Sequence, residues 1–415
     1  MLLGCLAKLF VLAACAKAVL LPSQDPFYAQ PSNISSYAPG AIIDARSMPT
    51  NINSLFPNEP NITVEEAYQY LYRTTDSLGN AVAAVTTLLV PYNADSSKLL
   101  SYQTAYITAA LDQGWYVVTS DYEGLQAQYV AGVQAGYATL DSVRAVFNDV
   151  STNGVDSKAR YVMWGYSGGS LASEWAALSG LIPNVTSVLQ TINKGANAGL
   201  AFSGVDGLST YDNQGGRLEA DSLIAKAYPD LKTWLDKNLI ASKKPEFQSI
   251  ASGCLTQTMS TGASQDLFSY FTRSQQSLYD PVPQSVLNVS GIMGQHGIPT
   301  IPMFIFKAIG DDISPSKDTD VLVDWYCGQK DVQVNIEYHK DVIGNHATEA
   351  ITGSASAFEW VAERLEGKAV KGKGCVVEYV ALTSVDLGTV GKLGAEVVAV
   401  LQDLLGGRLG TVVSG

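Results

Sequence analysis

The stretch "YVMWGYSGGSLASEWAAL", residues 161–178, decides how this chain is read. Tyr161 to Trp164 are apolar or aromatic and read as a buried strand. Gly165-Tyr166-Ser167-Gly168-Gly169 fits G-x-S-x-G, and the residues that follow read as a helix. A serine placed where a strand runs straight into a helix has the context of a nucleophile elbow. Gly165 and Gly169 are then steric necessities, because side chains there would strike the neighbouring strand and helix. The new helix points its N-terminal N–H groups at the serine, so the Gly168 N–H is a candidate donor to an oxyanion. The competing reading is a Gly-Ser helix start without chemistry, and the flanking elements and partner residues must decide.

Outward from this point the chain alternates. "AVAAVTTLLVPY" (81–92) and "KLLSYQTAY" (98–106) read as adjacent strands. "ITAALDQG" reads as a short helix stopped by Gly114, "WYVVTSDY" as a buried strand, and 130–150 as a helix. Later come the strand "IPMFIFKAIGDD", the helix "DVLVDWYCGQ", the strand "VNIEYHKDV" and a helix opening at "HATEAITGSASAFEWVAERLEG". Strands alternating with helices predict an α/β fold, a mostly parallel sheet covered on both faces. Residues 201–297 break the alternation, are helix-rich, and read as a cap inserted between two parts of the core, 19–200 and 298–375.

A serine hydroxyl needs a base, and the chain has three histidines. His296 precedes every candidate acid of the following stretch. His339 lies within a strand and reads as a strand or surface side chain. His346 follows the last strand of the alternation, where the order Ser, Asp or Glu, then His places the base. The acid should end the preceding strand, where Asp311 and Asp312 are adjacent; Asp311 is preferred and Asp312 stays open. A glycosidase pair is disfavoured, because adjacent carboxylates at a strand end point to opposite sides instead of flanking a substrate. In the resulting mechanism His346 takes the Ser167 proton, the alkoxide attacks an ester carbonyl, and water later releases the acid.

Composition narrows the function classes. A net charge of −13 with only 16% charged residues makes nucleic acid an unsuitable partner. The sequence shows no transmembrane span, internal repeat, metal-ligand cluster or phosphate-binding loop. Residues 1–18, "MLLGCLAKLFVLAACAKA", read as a secretory signal peptide ending Ala-Lys-Ala, the alternative being a buried N-terminal helix. Sequons at Asn33, Asn61, Asn184 and Asn288 are candidate glycosylation sites and agree with an extracellular, secreted protein. Removal of the signal would leave Cys254, Cys327 and Cys375, an odd number for an oxidising compartment.

Taken together, "WGYSGGSLASEWAA", "DYEGLQAQYVAGVQAGYATLDSVRA", "IFKAIGDDISP" and "GNHATEAITG" resemble the fungal secretory lipases of the lipase A type, over about 26–375. The resemblance implies an α/β-hydrolase with a large helical cap and no cofactor, a secreted enzyme that cuts triacylglycerols and other carboxylic esters at an oil–water interface, expected as a monomer. It carries over Ser167, Asp311 and His346 as the triad. It also implies that 376–415 forms a flap or tail near the site entrance.

One departure stands out. In the family, the strand matching "SYQTAY" is followed by an aspartate, which supplies the second oxyanion donor, and by a cysteine-containing loop. Here Tyr106 is joined directly to Ile107. The lost loop would hold the partner of Cys254, so the resemblance leaves Cys327 to pair with Cys375. Two function classes follow: a lipase or esterase, favoured by the intact Ser-Asp-His set, and a hydrolase-fold binding protein with weak or no turnover, favoured by the missing loop. A peptidase on the same scaffold is a third.

Overall fold

The computed structural model describes residues 22–52, 62–103, 107–177, 185–209, 227–251, 255–293, 297–370 and 372–380. The strands are β1 (Ile42–Ser47), β2 (Asn51–Ile52), β3 (Ile62–Thr63), β4 (Glu66–Thr75), β5 (Ala81–Val90), β6 (Asp95–Gln103), β7 (Trp115–Ser120), β8 (Arg160–Gly165), β9 (Met303–Ala308), β10 (Ile336–Asp341) and β11 (Cys375–Val380). The helices of the core are α1 (Thr108–Asp112), α2 (Gly132–Asn148), α3 (Val150–Asn153) and α4 (Gly168–Ala176). After them come α5 (Val185–Ile192), α6 (Ala198–Ser209), α7 (Pro229–Asn238), α8 (Lys244–Ala251), α9 (Leu255–Gly262) and α10 (Pro281–Ser290). The chain returns to the core with α11 (Ser316–Cys327), α12 (His346–Thr352) and α13 (Ser354–Leu365).

The larger sheet has the order β1-β4-β5-β7-β6-β8. Its first four strands pair antiparallel, and β7, β6 and β8 continue in parallel. The antiparallel half has a local cause. Asp76 accepts from the N–H groups of Leu78 and Asn80, and Gly79 has φ 87°, so residues 76–80 turn tightly and fold β5 back on β4. The strands β5 and β6, read from sequence as adjacent, are not: β7 lies between them, pairing Leu88 with Val118 on one side and Leu100 with Val117 on the other. The β6–α1–β7 crossover makes parallel neighbours of β6 and β7, which a short turn cannot do. A second, parallel sheet holds β9, β10 and β11 with β10 in the centre. Among the described residues no ladder joins β8 to β9. Trp164, Phe304 and Phe306 instead meet Phe358 of α13 in one apolar cluster that spans both sheets.

Side chains alternate between two covered faces. Leu88, Val90, Leu99 and Val118 pack against Val143 and Val146 of α2. Leu89, Leu100 and Val117 face the other way, toward Phe358, Val361 and Leu365 of α13. The stretch read as one terminal helix is two. They meet at Gly353, where a Cβ would fall 2.0 Å from the Phe306 ring. A separate apolar cluster gathers Leu189 and Ile192 of α5, Phe202 of α6, Leu235 of α7, Phe247 of α8 and Leu287 of α10.

Cys327, at the end of α11, is bonded to Cys375, which opens β11, with Cα atoms 6.0 Å apart. Cys254, the signal segment, Asn61 and Asn184 lie outside the described residues. Asn33 and Asn288 are exposed. The disulfide closes a 48-residue separation, so the Cys327→Ser/Cys375→Ser variant should lose about 2–4 kcal/mol of stability. Urea unfolding of oxidised wild type and variant measures it; equal midpoints would show that the cross-link contributes nothing.

Candidate active site

β8 ends at Gly165 and α4 starts at Gly168, leaving Ser167 to make the corner with φ 54° and ψ −122°. That conformation is sparsely populated for any residue with a Cβ and persists only where the surroundings enforce it. The enforcement is steric. A Cβ on Gly165 would lie 2.0 Å from the Gly169 carbonyl oxygen, and one on Gly169 would lie 1.5 Å from the Gln103 carbonyl oxygen. Strand β8, helix α4 and the end of β6 therefore touch backbone to backbone. Gly168, as the first residue of α4, has an N–H that precedes the helical ladder and is available to a ligand.

His346 Nε2 lies 2.9 Å from Ser167 Oγ, and His346 Nδ1 lies 2.9 Å from Asp311 Oδ2. Three segments far apart in the chain thus form one hydrogen-bonded line. His346 begins α12, whose start is fixed by a capping box between Asn345 and Thr348. The Tyr166 hydroxyl donates to the His346 carbonyl at 2.7 Å. Asp312 is exposed and accepts from the His346 backbone N–H at 3.2 Å, so it holds the loop while Asp311 meets the ring. His339 lies on β10 beside Glu337, 3.2 Å away, and against Phe304, apart from Ser167. His296 lies outside the described residues.

Asp311 is almost fully buried. Its Oδ1 accepts from the N–H groups of Ile313 and Ser314 at 2.9 and 2.8 Å. Its Oδ2 accepts from Lys307 Nζ at 2.7 Å as well as from His346. Burial opposes its charged form, but the His346 hydrogen bond and the Lys307 charge outweigh that cost and hold the carboxyl well below the usual carboxylate range. Behind it lie two further buried acids, Asp341 at the end of β10 and Glu349 on α12. Burial, and then the Asp341 charge, push the Glu349 carboxyl up to about 8. Sequence reasoning missed Lys307, Asp341 and Glu349. The signal available was a charge within or beside an apolar run, which does not by itself say that the charge points inward.

A cavity of about 450 Å³ opens at Ser167 and His346 and runs between β8 and β9. Met163, Leu189, Leu200, Phe304, Ile305 and Trp360 give it a largely apolar wall. Among the described residues there is no cluster of His, Cys, Asp and Glu able to hold a metal ion, and no helix long and apolar enough to cross a membrane.

The fold and the order of these residues along the chain are those of an α/β-hydrolase. The family model for secretory lipases matches residues 93–372, and the chain belongs to that family. It is 33% identical to Lipase A of Arthroderma benhamiae, over 97% of this chain and 92% of the relative. It is 31% identical to trichothecene C-3 esterase of Fusarium sporotrichioides, over 90% of this chain and 91% of that one. The first alignment spans 453 positions, more than the 415 residues present, so that relative carries residues this chain lacks. The crystal structure of Candida antarctica lipase A in its closed state superposes with a TM-score of 0.76 at 26% identity, over 93% of this chain and 96% of that one.

Glu349 yields a test of the buried acids. Its carboxyl sits above the ordinary 4.5, so the folded protein holds a proton that the unfolded chain has lost. The associated stability is complete below pH 4.5 and declines as pH rises toward about 8. Glu349→Gln should flatten the fall of Tm across this window. Scanning calorimetry of both proteins between pH 5 and pH 8 checks it, and parallel declines would remove Glu349 as the source.

Proposed function

We propose that this protein is a secreted serine hydrolase that cleaves carboxylic esters of lipophilic substrates, acylglycerols among them, through Ser167, His346 and Asp311. The observation that carries the reading is the pair of 2.9 Å contacts linking Ser167 Oγ to His346 and His346 to Asp311. His346 Nε2 accepts the serine proton as Oγ attacks the ester carbonyl. Asp311, kept anionic by its hydrogen bonds, orients the ring and stabilises the imidazolium. The Gly168 N–H donates to the oxyanion. His346 then protonates the leaving alcohol, and a water activated by the same nitrogen releases the acid.

The substrate class follows from the apolar cavity at Ser167, which suits an acyl chain, and from relatives named as lipases and as a trichothecene esterase. The helices from 201 to 297 act as the cap over an oil–water interface, the protein works as a monomer without a cofactor, and 1–18 directs secretion. Exposed Asn33 and Asn288 are the glycosylation sites supported by position. A fluorophosphonate probe should label Ser167 in wild type and fail to label Ser167→Ala, with hydrolysis of an aryl ester lost in parallel. Labelling at another serine would sink the assignment.

The direct junction of Tyr106 to Ile107 bears on rate. With the family's second donor absent, turnover of long-chain triacylglycerol should rise roughly 10²-fold when a family-type loop is inserted after Tyr106. An activated aryl ester asks less of the oxyanion site and should gain less. Equal triacylglycerol rates in the two proteins would show that another group already serves as the second donor.

A further inference from the structure

Strand β9 reads Met-Phe-Ile-Phe-Lys-Ala, and Lys307 is its one charged residue. The side chain is only 13% exposed, and its ammonium donates to Asp311 Oδ2 at 2.7 Å. That oxygen also accepts from His346 Nδ1 at 2.9 Å, while Oδ1 is occupied by two backbone N–H groups. One carboxylate oxygen is thus divided between an ammonium and an imidazole. If the site needed only a further hydrogen-bond donor, an amide or hydroxyl would supply it without the cost of desolvating a cation. The positive charge asks for an electrostatic explanation.

We propose that Lys307 is a positioning residue for the acid–base pair, whose ammonium offsets part of the Asp311 charge and so keeps His346 a working base in more acidic medium. This inference rests on the Ser167–His346–Asp311 reading. The groups around the imidazole are Ser167 at the elbow, the Tyr166 ring with its centroid 5.2 Å away, and Asp311 and Asp312 on the loop after β9. Further back stand Lys307 on β9, Asp341 at the end of β10 and Glu349 on α12. Lys307 is the positive member of this set. An imidazole hydrogen-bonded to a buried carboxylate is drawn toward its protonated form, which cannot accept the serine proton, whereas Glu349, protonated below about pH 8, adds no charge to that bias. A cation bonded to that same carboxylate works against this bias while leaving Asp311 charged and oriented.

The sign follows. Removing the ammonium favours the imidazolium, so the acid limb of the kcat/KM profile should move to higher pH, by about one unit. The measurement is kcat/KM for a short-chain aryl ester between pH 4 and pH 9, on the full chain, for wild type, Lys307→Met, Lys307→Gln and Lys307→Arg. The two neutral variants should shift the limb upward, and Lys307→Arg, which keeps the charge, should leave it in place. A purely structural role would lower the plateau without moving the limb. An unmoved limb in either neutral variant that folds, or an equal upward shift in Lys307→Arg, overturns the proposal. If both neutral variants fail to fold while Lys307→Arg folds, Lys307 belongs to stability and the proposal is likewise overturned. Fluorophosphonate labelling of wild type at pH 8 separates the two levels. Without labelling of Ser167 the triad reading itself fails, whereas normal labelling with an unmoved limb refutes Lys307 alone.

Discussion

The close backbone approach at Gly169 governs the site. Its missing side chain lets α4 press against the Gln103 carbonyl at the end of β6, where a methyl group would sit 1.5 Å from the oxygen. Because α4 is held that near, the chain leaving β8 turns within two residues, Tyr166 and Ser167, and Ser167 takes a backbone conformation it would not choose freely. The strain is repaid by packing: Leu171, Ala172 and Trp175 of α4 are buried in an apolar cluster, and Trp175 lies against Gly132 and Gly136 of α2. The helix start, the exposed serine hydroxyl and the available Gly168 N–H all follow from that single contact.

A second constraint is electrostatic. Asp311 is buried and Lys307 largely so, and their ion pair offsets part of the cost of desolvating each charge. Two backbone N–H groups and the His346 ring complete the donors to Asp311. The charges are held by β9 and its following loop, while His346 is fixed separately by the cap of α12 and by Tyr166. The imidazole therefore meets two partners placed by rigid elements, and neither depends on a flexible side chain reaching across solvent.

In the sequence Tyr106 is joined directly to Ile107. Gln103, at the end of β6, is bonded through its side chain to Ser101 and Ser173, so the end of β6 is tied to α4. These bonds fix α4, and with it Ser167 and the Gly168 N–H, against the end of β6.

The elements around Ser167, and the order of Ser167, Asp311 and His346, were legible in the sequence because they rest on local rules. Period-two and period-3.6 patterns mark strands and helices, and glycines flank a corner that has no room for side chains. Position at a strand end favours Asp311 over Asp312 in the sequence, but only the packed loop shows Asp312 turned to a backbone N–H and Asp311 to the ring. Strand adjacency was misread because neighbours in sequence need not be neighbours in a sheet once a crossover intervenes; β7 separates β5 from β6. Lys307, Asp341 and Glu349 were invisible as a group, since they come from a strand, a strand end and a helix that meet only in the folded core. What the sequence by itself determined is the local chemistry: which residue turns the corner and which side chains can carry a proton. The tertiary structure alone decided how those side chains are charged, because burial and neighbours at hydrogen-bond distance depend on contacts between segments far apart along the chain.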